Sequence, residues 1–98
     1  MQPSPETKFI FFYSKDCPIG NKMLNLLPDV EKKFGITIEK LEFSYNSTNL
    51  DLLLSFSESL ERDCGYIAVP AFISLKTNNS ICEERSLEEI EKFVKENL

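Results

Sequence analysis

The sequence predicts an α/β fold in which a four-stranded mixed β-sheet is flanked by three helices, in the order β-α-β-α-β-β-α. Two observations carry this prediction. An unbroken apolar run at residues 8–13 is typical of a strand that is covered on both faces. Three later segments with apolar residues at helical spacing are separated by short β-like segments. At 98 residues the chain fits one domain, which we expect at 8–98 after a flexible N-terminal lead-in at 1–7.

The first helix is predicted to begin at Cys17-Pro18, because proline fits the first helical position, where no N–H is needed. Its apolar stripe recurs at steps of four, three and four residues: Met23, Leu27, Val30 and Phe34. Pro28 lies inside this stretch and removes a helical hydrogen bond, which predicts a kink or a division. Gly35 is a natural stop for the helix.

The second strand is predicted at residues 36–43. Its apolar phase slips between Ile38 and Leu41, which predicts either a bulge or an early strand end. The second helix is predicted to begin with a capping box at Thr48-x-x-Asp51 and to end before Gly65. The face predicted to be buried consists of Leu50, Leu53, Leu54, Ser57 and Leu60.

Two short strands and a helix complete the chain. The segment 68–75 is β-like but contains Pro70, which predicts a strand that begins at the proline. A polar turn at 77–80 leads to a short strand at 81–84. A second capping box, Ser86-x-x-Glu89, predicts the start of the final helix. The residues predicted to be buried on that helix are Leu87, Ile90, Phe93 and Val94.

Composition excludes several classes of function. The net charge is −5 and the basic residues form no cluster, so neither nucleic acid nor an anionic membrane surface is expected as a partner. No apolar run approaches the ~20 residues of a membrane span. With no histidine, the chain lacks the commonest general base and metal ligand. We expect a cytoplasmic location, because the first residues show no secretory signal.

The three cysteines, Cys17, Cys64 and Cys82, indicate reactive or buried thiols rather than a disulfide-stapled scaffold. No Cys-x-x-Cys pair is present, so a structural zinc site has little support and no metal is expected. In a reducing compartment the default state of all three is the free thiol.

The order of these motifs resembles the thioredoxin-like fold over nearly the whole chain. The residues that carry the resemblance are 12–18 (Phe-Tyr-Ser-Lys-Asp-Cys-Pro), 69–72 (Val-Pro-Ala-Phe) and the segment 81–93. The resemblance implies that Pro70 is a cis-proline lying against Cys17. It also implies that the backbone N–H and C=O of Val69 bind an extended substrate as an added strand.

A thiol at position 17 has a chemical rationale of its own. At a helix N-terminus Cys17 faces unpaired N–H groups and the positive end of the helix dipole, both of which favour the thiolate. The thiolate is the attacking species in thiol–disulfide exchange. A partly buried, inert cysteine is the alternative interpretation.

Two departures from the thioredoxin-like pattern concern the same chemical step. Dithiol members carry a resolving cysteine three residues after the first, where this chain has Gly20, so Cys17-Pro18-Ile19-Gly20 is a monothiol version. Thioredoxins also carry a buried acid on the first strand, where this chain has Phe11. The resemblance therefore leaves resolution to an external thiol such as glutathione, or to Cys82 or Cys64.

Glutathione fits the sequence incompletely. Glutaredoxins carry a Gly-Gly motif before the last helix for the tripeptide's carboxylate, whereas this chain has Cys82-Glu83-Glu84 and so places negative charge there. The active loop also differs from the Cys-Gly-Phe-Ser of the cluster-binding monothiol glutaredoxins. No resident cofactor is expected, and an iron–sulfur cluster least of all.

The sequence leads to two main hypotheses. The first is a small monomeric thiol protein that exchanges disulfides with protein or peptide partners through Cys17. Its predicted site has Cys17, Pro18 and Pro70 as catalytic residues, Ile19, Gly20 and Val69 as substrate contacts, and Cys82 or Cys64 as resolving cysteines. The second is a redox-inactive binding module that docks an extended peptide beside Pro70. A third alternative is a metal site formed by the three cysteines with Glu83.

Overall fold

Four strands and five helical segments make up the part of the chain that the structure, a computed structural model, describes: residues 8–98. The predicted lead-in at 1–7 lies outside these residues. The strands are β1 (Phe9–Tyr13), β2 (Ile38–Glu42), β3 (Ala71–Ser74) and β4 (Ser80–Cys82). The helices are α1 (Pro18–Leu24), α2 (Leu27–Phe34), α3 (Ser47–Ser55), α4 (Ser57–Cys64) and α5 (Leu87–Glu96).

The strands form one mixed sheet in the order β2-β1-β3-β4. β1 runs parallel to β2 and antiparallel to β3, and β4 pairs antiparallel with β3. The predicted fold class, a four-stranded mixed sheet with flanking helices, is confirmed. Within residues 8–98, none of the helices has the length and apolar character that a bilayer span requires.

Both faces of the sheet are covered, which explains the unbroken apolar run of β1. Phe9 and Phe11 point into one cluster, and Ile10 and Phe12 point into the other. The first cluster contains residues of α1, α2 and α5: Met23, Leu27, Val30, Ile90, Phe93 and Val94. The second contains residues of α3 and α4: Leu53 and Leu60.

The same arrangement corrects the predicted bulge in the second strand. Ile38 belongs to the first cluster and Leu41 to the second, so the two residues are buried on opposite faces and no phase slip exists. The pairing with β1 is continuous from Phe9↔Ile38 to Tyr13↔Glu42. The early strand end is likewise not needed to explain a slip; the strand runs from Ile38 to Glu42, within the predicted 36–43.

The predicted division of the first helix is confirmed. α1 ends at Leu24, and α2 begins at Leu27 with Pro28 in its first turn, where the missing N–H is not needed. Gly35 ends α2 in the left-handed conformation, with φ 63°.

The second helical region differs from its prediction in three ways. It is divided into two helices, α3 and α4. Asn46, and not Thr48, is the N-cap of α3: its side chain accepts a hydrogen bond from the Asn49 N–H. The buried face is centred on Asn49 and Leu53, because the Asn49 amide donates to the Glu42 carbonyl at 2.8 Å and turns inward. Two residues of the predicted apolar face are consequently exposed, Leu50 and Leu54.

The C-terminal elements follow the predictions closely. β3 begins at Ala71, directly after Pro70. The capping box of α5 is formed as predicted: the Ser86 hydroxyl accepts from the Glu89 N–H, and the Glu89 carboxylate accepts from the Ser86 N–H. Ile90, Phe93 and Val94 are buried, and Leu87 is half-buried.

Candidate functional site

Three segments of the predicted site meet at one edge of the sheet. Strand pairing places Phe12 opposite Ala71, and Ala71 opposite Cys82. The chain that follows β1, the chain that precedes β3 and the chain that follows β4 therefore emerge side by side, about 5 Å from strand to strand. These segments are 14–17, 65–70 and 83–84, and we call this end of the sheet the active edge.

Cys17 is the N-cap of α1 and is half-buried. Its N–H donates to the Ser14 carbonyl at 3.0 Å, and its own carbonyl accepts from the Asn21 N–H at 3.2 Å. The side chain caps none of the helix N–H groups, and the first turn of α1 contains no acidic residue. Cys17 is a free cysteine, so its sulfur is available for chemistry.

The segment before β3 offers an open backbone. The peptide bond between Val69 and Pro70 is cis. Pro70 is buried, and its carbonyl accepts from the Glu83 N–H at 2.8 Å. Val69 is 38 % exposed, and its N–H and C=O form no hydrogen bond with another residue in the range 8–98. An unpaired donor and acceptor next to a strand can receive an added strand.

The two positions that depart from the dithiol pattern are fixed by packing. Gly20 is buried, and a Cβ built there would lie 3.1 Å from the Tyr13 Cβ and 3.5 Å from the Ser14 carbonyl oxygen. Phe11 is fully buried and stacks on Tyr13 with 5.9 Å between ring centroids. Aromatic packing therefore occupies the place of a buried acid, and a side chain at position 20 would need Tyr13 to shift by a few tenths of an ångström.

Cys64 and Cys82 are bonded to each other, with their Cα atoms 6.3 Å apart. This pairing departs from the expectation of free thiols. It arises because the end of α4 packs beside β4, although 18 residues separate the two cysteines in sequence. In this state neither residue has a thiol to attack a Cys17 adduct or a thiolate to bind a metal.

The disulfide and α1 lie on opposite faces of the sheet. Cys82, only 2 % exposed, belongs to the cluster that contains Ile10 and Phe12, whereas α1 packs on Phe9 and Phe11. The structure thus brings Cys64 and Cys82 to the active edge but not to the helix that begins at Cys17.

A polar network that the sequence analysis missed holds the loop before Cys17. The Glu42 carboxylate accepts from the Lys15 N–H at 3.0 Å, from the Tyr45 N–H at 2.9 Å and from the Ser44 hydroxyl. Partial desolvation acts to raise the pKa of Glu42, but the Ser44 and backbone hydrogen bonds outweigh it and lower this pKa to about 2. Glu42 therefore remains ionised and anchors the loop.

Tyr45 completes the network by contacting both charged residues next to Cys17. Its hydroxyl donates to the Asp16 carboxylate, and the Lys15 ammonium lies 4.3 Å from the centre of its ring. The hydrogen bond to Asp16 and the nearby negative charge raise the pKa of the Tyr45 hydroxyl. Tyr45 thus contacts both charged groups that precede Cys17 in the sequence, the Lys15 ammonium and the Asp16 carboxylate.

Two acidic residues follow β4 at the active edge. The Glu83 carboxylate accepts from the Tyr66 hydroxyl, a contact that the sequence analysis also missed. Glu84 forms an exposed ion pair with Lys22 of α1, with 2.8 Å between the charged atoms. Both carboxylates thus have a partner, and that of Glu84 is paired with a positive charge.

Comparison with known proteins shows the same fold in two solved structures. Thioredoxin 1 of the thermophilic eubacterium Thermosipho africanus TCF52B aligns with a TM-score of 0.65 at 20% identity, over 92% of this chain and 92% of that protein. A glutaredoxin of Archaeoglobus fulgidus aligns with a TM-score of 0.61 at 13% identity, over 93% of this chain and 89% of the glutaredoxin. No protein-family model and no curated protein matches the chain. The chain therefore has a thioredoxin-like fold.

Proposed function

We propose that this protein carries out thiol–disulfide exchange with protein or peptide partners, and that Cys17 is the attacking cysteine. One observation carries the proposal: the free cysteine stands at the start of α1, on the same sheet edge as the unpaired backbone of Val69. A nucleophile and a docking backbone are the two parts that such exchange requires.

The exchange would proceed in two steps. The Cys17 thiolate attacks one sulfur of a partner disulfide, so that a Cys17–partner bond forms while the partner's own disulfide breaks and its second sulfur leaves as a thiolate. An external thiolate then attacks the partner's sulfur in the mixed disulfide: a bond between the external thiol and the partner forms, the Cys17–partner bond breaks, and Cys17 leaves as a thiolate. Resolution from outside is favoured because position 20 is a glycine and because Cys64 and Cys82 are already bonded.

Docking would use backbone contacts together with apolar side chains. Val69 offers a free N–H and C=O to an extended segment, and Ile19 and Val69 are each 38 % exposed. Glutathione remains a candidate resolving thiol, but the carboxylates of Glu83 and Glu84 favour partners that bring no additional negative charge to this place.

The proposal is tested by trapping the adduct. The protein, with its Cys64–Cys82 bond intact, is incubated with a peptide disulfide and quenched with iodoacetamide, and the modified cysteine is identified by mass spectrometry. We expect one adduct per chain, located at Cys17 and absent from the Cys17→Ser variant. An adduct that forms equally in Cys17→Ser, or none in the parent protein, contradicts the proposal.

The packing around the first strand favours a second candidate, a binding module that docks peptides without covalent chemistry. Phe11 and Gly20 occupy the places of the acid and the thiol that drive a dithiol cycle, while the docking backbone at Val69 is intact. Under this alternative Cys17→Ser leaves the affinity for a peptide partner unchanged, and the parent protein forms no adduct.

A further inference from the structure

The docking backbone belongs to a short segment that has little packing of its own. Residues 65–70 connect α4 to β3, and within them Tyr66 is 54 % exposed while Ile67 and Val69 are each 38 % exposed. Ala68 and Pro70 are the buried residues of this segment. The position of the Val69 backbone is therefore defined by these two buried neighbours together with the contacts at the ends of the segment.

Two of the ties at these ends lead to the residues at the end of β4. Cys64, the final residue of α4, is bonded to Cys82, the final residue of β4. The next residue, Glu83, donates its N–H to the Pro70 carbonyl at 2.8 Å and accepts the Tyr66 hydroxyl on its carboxylate. The segment is thus held at its start by a covalent bond and at its end by a backbone hydrogen bond.

We infer that Cys64 and Cys82 are positioning residues: their disulfide holds the Val69 backbone where an extended substrate can dock. The inference rests on the proposed function of Cys17 and adds a role for the two cysteines that the exchange itself does not use. The disulfide packs on the sheet face opposite to α1, in a different cluster from the helix that begins at Cys17. Substrate docking and intrinsic thiol reactivity are therefore separable.

A dithiol reductant can remove this tie in a balanced reaction. One thiolate of dithiothreitol attacks the Cys64 sulfur, which belongs to the less buried partner; the Cys64–Cys82 bond breaks and Cys82 leaves as a thiolate. The second thiolate attacks the mixed disulfide, which releases Cys64 as a thiol and oxidises the reductant to its cyclic disulfide. The reduced protein then holds the docking segment without a covalent bond to β4.

The test compares two substrates that share a leaving group. One is an extended peptide of about ten residues whose single cysteine carries thionitrobenzoate as a mixed disulfide; the other is cysteamine with the same group. The Cys17 thiolate attacks the cysteamine or peptide sulfur and releases the coloured thionitrobenzoate anion. The measured quantity is the ratio of the two second-order rate constants, peptide over cysteamine.

In the parent protein with its disulfide intact, we expect the peptide to react faster than cysteamine. In the Cys64→Ser/Cys82→Ser variant the ratio should fall about tenfold, because docking loses its preorganisation, while the cysteamine rate stays within about twofold. An unchanged ratio, or an equal fall in both rates, overturns the inference.

A second variant keeps the test decisive if the serine variant does not fold. Cys64→Ala/Cys82→Ala removes the same bond but places apolar side chains in the apolar cluster of Cys82, and we expect the same fall in the ratio. No change in the ratio for this variant contradicts the inference when the serine variant is unfolded.

Cys17→Ser separates the two proposals. If the parent protein releases no more thionitrobenzoate than Cys17→Ser, the proposed function itself fails. If the parent releases it through Cys17 with equal ratios in all variants, only the positioning role fails.

Discussion

The Cys64–Cys82 disulfide allows a quantitative prediction about stability. The bond closes a loop whose ends are 18 residues apart in sequence. In the chain-entropy treatment, a loop of this size removes enough freedom from the unfolded chain to raise the free energy of unfolding by about 3 kcal/mol. Reduction should cost little beyond this, because the released Cys82 thiol is a small apolar group in an apolar cluster.

For a domain of this length, each kcal/mol lost shifts the melting temperature by ~4–8 °C, so reduction should lower Tm by about 15 °C. The assay is thermal unfolding followed by circular dichroism, with and without dithiothreitol. Cys17→Ser is the matched control: it keeps the Cys64–Cys82 bond and should show the same shift. The double variant Cys64→Ser/Cys82→Ser should show none.

Two results would refute this reasoning. Equal melting temperatures with and without dithiothreitol would mean that the bond constrains the unfolded chain less than its loop length implies. A shift that disappears in Cys17→Ser would mean that the redox-sensitive bond involves Cys17 and not the pair seen here.

Three further predictions concern the active edge and the last helix. The pKa of Glu42 is lowered from 4.5 to about 2, so its contribution to stability is fully present above pH 4.5 and is lost as the pH falls towards 2. The urea midpoint of the parent protein should therefore fall with pH over this window, whereas the midpoint of Glu42→Gln should change less. Midpoints that fall equally in both proteins would contradict this prediction. Gly20→Cys places a Cβ 3.1 Å from the Tyr13 Cβ, so the free energy of unfolding should fall by about 1–3 kcal/mol and Tm should fall rather than rise. Thiol titration should show no new disulfide between Cys17 and the introduced cysteine. Ser86→Ala breaks the capping box of α5 and should lower the urea-derived free energy of unfolding by about 1 kcal/mol, with an unchanged value arguing against the cap.

The fold could be predicted because its main signals are local. The unbroken apolar run of β1, Pro18 at a helix start and the Ser86 capping box each act within a few residues of sequence. The buried face of α3 was predicted wrongly, because a tertiary contact outweighs the local apolar pattern there. The Asn49 amide binds the Glu42 carbonyl, which turns α3 and exposes leucines that the helical stripe predicts to be buried.

The site could be predicted only in part, for the same reason. Cys17 and Pro70 are marked by short sequence motifs, but the contacts that position them join distant segments. Glu42 reaches Lys15 across 27 residues, and Tyr66 reaches Glu83 across 17. Neither separation in sequence follows a helical or strand period, so these groups come together only when the sheet has formed.

The packing around β1 gives a physical reason for a single attacking cysteine. Phe11 lies between Tyr13 and Phe72, with ring centroids 5.9 and 6.1 Å away, and a Cβ at position 20 would lie 3.1 Å from the Tyr13 Cβ. An acid at position 11 would be buried in this aromatic cluster without a partner, which is costly. A thiol at position 20 would require Tyr13, which stacks on Phe11, to shift by a few tenths of an ångström. The two positions are therefore coupled through Tyr13.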